Sequence, residues 1–440
     1  MSLASRAKEA GGATTCVPMH ASAGYEALKS QVVSMVSADR IAALSKRNPA
    51  QARSELKGAC RVVLEGPDWA SAGAEERSRL TGQLLDEVFG YGPLEGLLAD
   101  AEVTEIMVNG PSKIFCERRG IIYPTGCSFA DESHMRSVID RILGPLGRRV
   151  DELTPMVDAR LPEGHRVNVV LPPLAPDGPV ITIRKFAEDA MRLSDMQGAG
   201  SMDVFVRAFL TWSVRLRKSI AVSGGTGSGK TTLLNALSRE ISPAERIVTI
   251  EDSAELRFDE HPHVVRLEAR GRSSEGVGEV TIRDLVRNAL RMRPDRIVVG
   301  ECRGGEALDM LQAMLTGHDG SMTTLHANSA ADAVQRLTTM VRFAVDLPVD
   351  VIQRNIASAF DVVVQTARSA DGRRYIQSIG EVGFEDRSRS CTVRPLYQRR
   401  DVDRAGVWLA APEWMSAASL VGVASEKEVA SWRRCLSCAA

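Results

Sequence analysis

Residues 224–231 have the composition and spacing of a phosphate-binding loop. They read Gly-Gly-Thr-Gly-Ser-Gly-Lys-Thr and match the pattern G-x-x-x-x-G-K-[ST] at every position. A β-branched and apolar run at 219–223 predicts a strand before the motif, and residues 231–239 predict a helix after it. A strand, a glycine-rich loop and a helix in this order favour a nucleotide site over an ordinary glycine-rich turn.

Each residue type in this motif has a physical role toward a nucleotide. Glycines let backbone N–H groups turn inward, and the helix N-terminus adds a partial positive charge. Lys230 reaches the β- and γ-phosphates, and the Thr231 hydroxyl is a ligand for Mg²⁺. The sequence therefore predicts ATP and Mg²⁺ as cofactors, bound through Gly224, Gly225, Thr226, Gly227, Ser228, Gly229, Lys230 and Thr231.

A second chemical signal is the apolar run that ends in Glu301. An apolar strand that ends in an acid, downstream of a phosphate-binding loop, is the Walker B pattern. A carboxylate at that point can polarise an attacking water or hold the metal through water. The alternative is an ordinary carboxylate at the end of a strand.

A third acidic group follows another apolar strand, at Glu251, Asp252 and Glu255. Strand carboxyl ends converge on the ligand crevice of a doubly wound sheet, so these side chains could face Mg²⁺ or the attacking water. The alternative is a capping box, because Asp252 and Glu255 have the spacing of an N-cap and its third residue. Both readings can hold together.

Two histidines, His318 and His326, bracket a predicted strand. No third residue of metal-ligand type stands at a suitable spacing, which argues against a metal centre. A histidine beside the γ-phosphate can sense it or orient a catalytic group, and we take His326 as the catalytic candidate. The alternative for each is a buried histidine that bonds to the backbone.

Phosphoryl transfer usually needs an arginine against the γ-phosphate, supplied by the same subunit or by a neighbour. Arg160, Arg166 and Arg184 are the candidates, because each begins or ends a predicted strand shortly before the phosphate-binding loop. Most surface arginines have no catalytic role, so spacing alone leaves the ordinary alternative open.

The elements that position these residues are visible in the sequence pattern. Helical periodicity dominates from about 25 to 98, and short strands with Asn-Gly and Gly turns follow to about 184. Beyond 193 short apolar runs alternate with helical stretches, which indicates a parallel sheet with crossover helices. Those runs are 220–223, 247–250, 264–267, 297–299 and 321–324.

Length and charge limit the classes of function. A chain of 440 residues allows about three domains. Lys and Arg number 55 against 56 Asp and Glu, so no general attraction to nucleic acid or to acidic membranes is expected. No apolar run approaches the ~20 residues that cross a bilayer, and the first residues lack the apolar core of a signal peptide. We expect a cytoplasmic protein that reaches the membrane only through a partner.

Taken together, the motifs resemble the type II/IV secretion and pilus-assembly ATPases, and most closely the tight-adherence (Flp) pilus branch of CpaF type. The resemblance covers roughly 80–385. It is carried by GYGPLEGLL, EIMVNGP, PMVDARLPEGHRVNVVLPPLA, ITIRKF, SGGTGSGKTTLLNAL, IVTIEDSAEL, GEVTIRDLVRNALRMRPDRIVVGECRGGEALDMLQAM and TGHDGSMTTLHAN. Only one C-x-x-C pair occurs, at Cys435 and Cys438, so the four-cysteine zinc module of the type II branch is absent.

The resemblance implies an α/β fold with a RecA-like P-loop ATPase domain, a PAS-like α/β domain and a small helical N-terminal module. We place a disordered lead at 1–24, the helical module at 25–78 and the PAS-like domain at 79–190. The ATPase domain follows at 191–385, and a C-terminal extension of unknown role at 386–440.

The family's site residues carry over to positions of this sequence. The Walker A positions include Thr232 after Thr231, and the Walker B glutamate is Glu301. The acidic box falls on Glu251, Asp252 and Glu255, which implies Mg²⁺ held by Thr231, Glu251 and Glu301, partly through water. The histidine box falls on His318 and His326, and the phosphate-sensing arginines resemble Arg160, Arg166 and Arg184.

The family's partners are implied in the same way: a homo-hexameric ring, and an inner-membrane platform protein of a pilus or secretion machine. The predicted function is an ATP-hydrolysing motor for pilus assembly, with retraction left open. Two alternatives stay open: a nucleic-acid-translocating ATPase of the same core, and a non-catalytic scaffold gated by nucleotide. Balanced charge and the lack of a basic-aromatic platform argue against the first, and intact Lys230 and Glu301 against the second.

Overall fold

The computed structural model describes residues 23–118, 120–186, 191–258, 260–270 and 278–437. The chain divides into two compact units, Met1–Ala187 and Glu188–Ala440. Most of the predicted disordered lead, together with Cys16 and Cys438, lies outside the described residues. No helix in the described ranges combines the length and the apolar character needed to cross a membrane.

The first unit begins with helices whose apolar faces pack on one another. A cluster that includes Tyr25, Leu28, Leu56 and Leu80 is almost fully buried, which explains the helical periodicity of this part of the sequence. The helices are α1 Ala23–Met35, α2 Ala38–Arg47, α3 Pro49–Leu64, α4 Ala74–Phe89 and α5 Glu95–Ala99, with short 3₁₀ turns at Pro67–Trp69 and Gly92–Leu94.

An antiparallel sheet of six strands completes the first unit, in the order β3-β2-β1-β6-β5-β4. Helix α6, Glu132–Leu143, buries Met135, Val138 and Ile139 among the apolar side chains of this sheet. The predicted N-cap of that helix, Asp131, is confirmed, because its side chain accepts the backbone N–H of His134 at 2.7 Å. The strands are β1 Val103–Asn109, β2 Ile114–Arg118, β3 Ile121–Pro124, β4 Met156–Arg160, β5 Arg166–Val170 and β6 Val180–Arg184.

The second unit is built on a sheet of nine strands, in the order β15-β14-β13-β12-β7-β11-β10-β8-β9. The six strands from β12 to β9 run parallel, and β13 to β15 extend the sheet in antiparallel fashion. They are β7 Ile220–Gly224, β8 Ile247–Glu251, β9 Val264–Glu268, β10 Arg296–Val299, β11 Met322–Leu325, β12 Val362–Arg368, β13 Arg374–Glu385, β14 Ser390–Gln398 and β15 Val407–Trp408.

Helices cover both faces of this sheet, and the central strands β7, β8, β10 and β11 are buried along their whole length. Burial on two faces explains their unbroken apolar runs. The helices are α7 Leu193–Gly198, α8 Val204–Arg215, α9 Lys230–Ser238, α10 Ile282–Ala289, α11 Glu306–Leu315, α12 Ala330–Ala344, α13 Val349–Ala359, α14 Met415–Leu420 and α15 Glu426–Ser437. The predicted alternation of strand and helix is confirmed, and the ends of the five predicted strands agree with the observed ends within one residue.

The residues after 385, to which the sequence assigned no role, add to this second unit. Strand β14 pairs with β13 along eight positions, and the short β15 pairs with β14. In α15 the Trp432 ring lies 4.4 Å from that of Trp408, measured between centroids, and its Nε1–H donates to the Phe205 carbonyl at 3.0 Å. These residues therefore contribute to the hydrophobic core that α8 also lines.

Candidate active site

The candidate site is assembled where five neighbouring parallel strands end. Strands β12, β7, β11, β10 and β8 lie side by side and point the same way, so their carboxyl ends share one edge of the sheet. The residues that follow β7, β10 and β11 are the phosphate-binding loop, Glu301 and His326, and β8 ends with Glu251. The topology therefore brings motifs scattered over about a hundred residues to one place.

The loop after β7 has the backbone that a phosphate cradle needs. Gly227 and Gly229 have φ of 69° and 93°, values that favour glycine. A methyl group on Gly224 would lie 2.4 Å from Thr366 Oγ1 and 2.6 Å from the Thr366 carbonyl, so only glycine fits between β7 and β12. Helix α9 begins at Lys230 and points its N-terminus into the loop.

Lys230 lies inside the loop, with 8% of the residue exposed. Its ammonium donates to the carbonyls of Gly224 at 3.1 Å and Gly225 at 2.9 Å. The same nitrogen lies 3.4 Å from Nδ1 of His326, at the end of the neighbouring strand β11. These contacts place a positive charge at the centre of the loop and link it to His326.

Glu301 is held by two neighbours at the end of β10. His326 Nε2 lies 2.8 Å from Oε1, while Arg303 donates to Oε2 from Nε at 2.7 Å and also from Nη2. Nη1 of Arg303 also lies 3.7 Å from a carboxylate oxygen of Asp252. Upstream, the Thr324 hydroxyl donates to the Gly300 carbonyl at 2.6 Å and fixes the turn that carries Glu301.

His326 connects Lys230 with Glu301 through its two ring nitrogens. Burial, and then the positive charge of Lys230, lower the pKa of His326 below its ordinary value of 6.5, although Glu301 acts in the opposite direction. At neutral pH the ring is therefore uncharged. A neutral ring can accept from Lys230 at Nδ1 and keep its proton on Nε2, the nitrogen that lies 2.8 Å from Glu301.

Glu251 is 4% exposed, and its carboxylate caps the turn that follows β8. Oε1 accepts the backbone N–H groups of Glu255 at 2.9 Å and of Leu256 at 3.0 Å. The capping-box alternative for Asp252 and Glu255 is wrong, because residues 252–256 form no helix. The capping carboxylate belongs to Glu251 itself, and its predicted place at the metal stays a prediction.

His318 lies at the other edge of the sheet. It precedes β11 whereas His326 follows it, so the strand separates the two histidines. Nδ1 of His318 is hydrogen-bonded to the Ala313 carbonyl at 3.0 Å, where it closes the end of α11. The backbone-bonded alternative therefore describes His318, and only His326 lies beside the loop.

The three predicted arginines belong to the first unit and form one row across its sheet. Arg160 lies opposite Arg166 on β5, and Arg166 lies opposite Arg184 on β6. The Arg160 guanidinium carbon lies 5.5 Å from the centroid of the Phe186 ring, and Nε of Arg184 lies 3.8 Å from Glu105. The sequence placed these residues near strand ends but did not indicate that they form a row.

The side chains at the sheet edge fit a magnesium nucleotide. Inward glycine backbone, Lys230 and the start of α9 suit the phosphates, and Thr231 stands in the first turn of that helix, half-buried. Hard oxygen donors, the Thr231 hydroxyl and the Glu301 carboxylate, are the kind that Mg²⁺ prefers.

Sequence reasoning missed four residues that shape this site: Arg303, Thr324, Gln365 and Thr366. Gln365 accepts from Ser223 and donates to the Ala327 carbonyl at 3.0 Å, and so ties β7 to the segment after His326. Thr366 lies 2.8 Å, between hydroxyl oxygens, from Ser228 in the loop. No sequence motif indicates Gln365 or Thr366. Arg303 could have been predicted as a partner of Glu301, because it stands only two residues after it.

Most of the chain is similar in sequence to known proteins of one family. The family model described as "Type II/IV secretion system protein" matches residues 87–402. The "Type IV secretion system protein PtlH homolog" of Bordetella bronchiseptica is 38% identical over 323 residues, which are 68% of this chain and 95% of that protein. The conjugal transfer protein TrbB of Rhizobium radiobacter is 35% identical over 294 residues, 66% of this chain and 87% of that one.

A similar fold occurs in the ATPase DotB of Yersinia pseudotuberculosis. Its crystal structure superimposes with a TM-score of 0.50 at 17% identity, over 78% of this chain and 92% of that one. At that level of identity the likeness concerns the fold. The predicted α/β, RecA-like fold class is confirmed.

Proposed function

Because the chain belongs to the type II/IV secretion system protein family, an ATPase family, we propose that it is the ATP-hydrolysing motor of a pilus or secretion machine. The observation that carries this proposal is the contact chain from Lys230 through His326 to Glu301, at the edge where the parallel strands end. A phosphate-binding lysine and a carboxylate base are parts that hydrolysis of a nucleotide needs, and here a neutral histidine lies between them.

In this mechanism each residue at the sheet edge has one task. Lys230 and the loop N–H groups hold the phosphates, and Thr231 holds Mg²⁺, which when bound neutralises charge on the transferring phosphoryl group. Glu301 takes the proton of the attacking water. His326 and Arg303 hold the Glu301 carboxylate on its two oxygens, and so fix its direction. Glu251 keeps the neighbouring turn, with Asp252, in place.

Arg160, Arg166 and Arg184 supply positive charge toward the γ-phosphate. The three arginines occupy adjacent cross-strand positions, so their positive charges lie on one face of the sheet. Arginine is suited to this task because its planar fork binds phosphate oxygens in pairs. The row lies in the first unit.

The working assembly is a homo-hexameric ring whose sites are completed when the subunits come together. The ring acts at the cytoplasmic face of the inner membrane, on a platform protein of a tight-adherence pilus of CpaF type or a related machine. The family membership and the sequence motifs support this assignment. Balanced charge supports a protein partner rather than nucleic acid.

Two substitutions separate binding from chemistry and so test the proposed ATPase. We expect Lys230→Ala to abolish ATP binding, because it removes the charge inside the loop. We expect Glu301→Gln to bind ATP with an affinity near that of the wild type and to reduce kcat by about 100-fold or more, because it removes the base. Calorimetry and a phosphate-release assay measure the two quantities.

Asp319→Asn is the matched control, because this exposed carboxylate lies at the opposite edge of the sheet, next to His318. It should leave both binding and kcat unchanged. Turnover by Glu301→Gln at the wild-type rate would remove Glu301 from its role, and ATP binding by Lys230→Ala at wild-type affinity would contradict the proposed site.

A further inference from the structure

The turn between β12 and β13 presents two arginines to the phosphate-binding loop. In the parallel pair of β12 and β7, Thr366 is in register with Gly224, the last residue of β7. Strand β12 continues for two more residues to Arg368, about 6–7 Å beyond the end of β7. It runs in the same direction as the chain that enters the loop. In the antiparallel pair with β13, Arg374 lies directly opposite Arg368.

Close contacts show that both side chains meet the loop. Nε–H of Arg374 donates to the Gly227 carbonyl at 3.0 Å, and a methyl group on Gly229 would lie 3.2 Å from Arg374 Cδ. A methyl group on Gly227 would lie 3.0 Å from Arg368 Nη1. Thr366 lies on the same side of β12 as Arg368 and contacts Ser228, which fixes the strand against the loop.

A third arginine in the same turn faces a different set of partners. Arg373 is paired with Asp371 and, at 2.7 Å, with Asp403, and Ser369 also bonds to Asp371. Asp371 carries four stabilising hydrogen bonds and charges, which lower its pKa to about 2, so it stays ionised beside Arg373. Three arginines within seven residues thus divide into one held by acids and two placed at the loop.

The geometry points to Arg368 and Arg374 as nucleotide-binding residues that hold the α- and β-phosphates at the loop, in addition to Lys230. The inference rests on the proposed function, because it takes the loop as a nucleotide site. The ligand is the diphosphate part of a nucleotide, shared by ATP and ADP. Guanidinium groups suit such a ligand, since they bind phosphate oxygens as planar forks and remain charged at every working pH.

The experiment is calorimetric titration of the full chain with Mg-ADP, which binds without hydrolysis. We expect Arg374→Gln to weaken ADP binding about tenfold, as the loss of one charged hydrogen bond does, and Arg374→Lys to recover part of it. Glutamine keeps an N–H donor for the Gly227 carbonyl but has no charge, so a merely structural contact would survive the change to glutamine. Arg368→Gln should weaken ADP binding similarly.

Arg373→Gln is the matched control, with the same change in the same turn but outside the loop. We expect ADP affinity within about twofold of the wild type, well below the effect of one charged hydrogen bond. Wild-type affinity in both Arg374→Gln and Arg368→Gln would overturn the inference, and so would an equal loss in Arg373→Gln. If the wild type itself fails to bind ADP, the proposed function falls first. If the wild type binds ADP and Lys230→Ala does not, the nucleotide site stands. The results for Arg368 and Arg374 then test only the role of these two arginines.

Discussion

At the scale of single residues, the site is a short chain of contacts in which each group sets the state of the next. Burial and then the charge of Lys230 lower the pKa of His326, Nε2 of the neutral His326 lies 2.8 Å from one oxygen of Glu301, and Arg303 donates to the other oxygen. A protonated His326 would place a second positive charge beside Lys230 and would lose its acceptor nitrogen. The arrangement therefore depends on an uncharged imidazole.

Because the arrangement depends on an uncharged His326, both stability and ATP turnover should change with pH in a defined direction. The folded state holds His326 neutral, so the unfolded chain binds more protons below its ordinary pKa of 6.5. The contribution of His326 to stability is therefore present above pH 6.5 and is lost as the pH falls through the lowered pKa. ATP turnover should fall over the same range, because protonation breaks the link between Lys230 and Glu301.

His326→Gln tests this chain of contacts. We expect kcat at pH 7.5 to fall about tenfold, the effect of one hydrogen bond to a charged group, with little change in KM. The part of the decline in kcat below pH 6.5 that comes from His326 should disappear. Steady-state kinetics from pH 5.5 to 8.5 measure both effects, and His318→Gln, at the far edge of the sheet, should match the wild type. An unchanged kcat in His326→Gln would contradict the account.

The sequence predicted Lys230, His326 and Glu301, but it predicted neither Arg303 nor the contacts among these residues. A glycine-rich loop, an acid after an apolar strand and a histidine after another can each be found by spacing, because the chemistry limits the residue types. Gln365, Thr366, Arg368 and Arg374 could not be found in this way. They reach the site through the register of β12 against β7 and β13, which depends on tertiary pairing.

At the scale of elements, the order of strands is what converts separate motifs into a site. Strand β11 lies between β7 and β10, so His326 comes between the loop and Glu301. Apolar periodicity predicted these strands well, since strands buried on two faces leave an unbroken apolar run. It could not give their order, and it assigned no role to residues after 385, where strands and tryptophans complete the sheet and its core.

Trp432 tests whether α15 is part of the folded core. The residue is 1% exposed and packs on Trp408, so we expect Trp432→Ala to reduce the free energy of unfolding of the second unit by about 3–5 kcal/mol. Trp432→Phe keeps an aromatic ring but loses the hydrogen bond to the Phe205 carbonyl, and should cost less. Urea unfolding followed by far-UV circular dichroism measures both.

An exposed helical neighbour, Arg433, provides the control for that experiment, and Arg433→Ala should change the free energy of unfolding by less than about 0.5 kcal/mol. If Trp432→Ala were as stable as this control, α15 would have no part in the stability of the second unit.

At the scale of the whole molecule, the groups proposed for catalysis are divided between two compact units. The phosphate-binding loop, His326 and Glu301 belong to the second unit, and the row of Arg160, Arg166 and Arg184 belongs to the first. The family resemblance predicted that the catalytic groups are distributed over two domains. Local sequence patterns could not predict it, because no spacing rule links an arginine in one unit to a loop in another.

The most direct test of this account is Mg-dependent ATP hydrolysis per protomer over a wide range of protein concentrations, with the molar mass measured by light scattering at each one. We predict that the rate per protomer rises steeply as monomers give way to rings, because assembly completes the sites. An equal and substantial rate in samples shown to be monomeric would contradict the account, and so would the absence of Mg-dependent turnover in assembled rings.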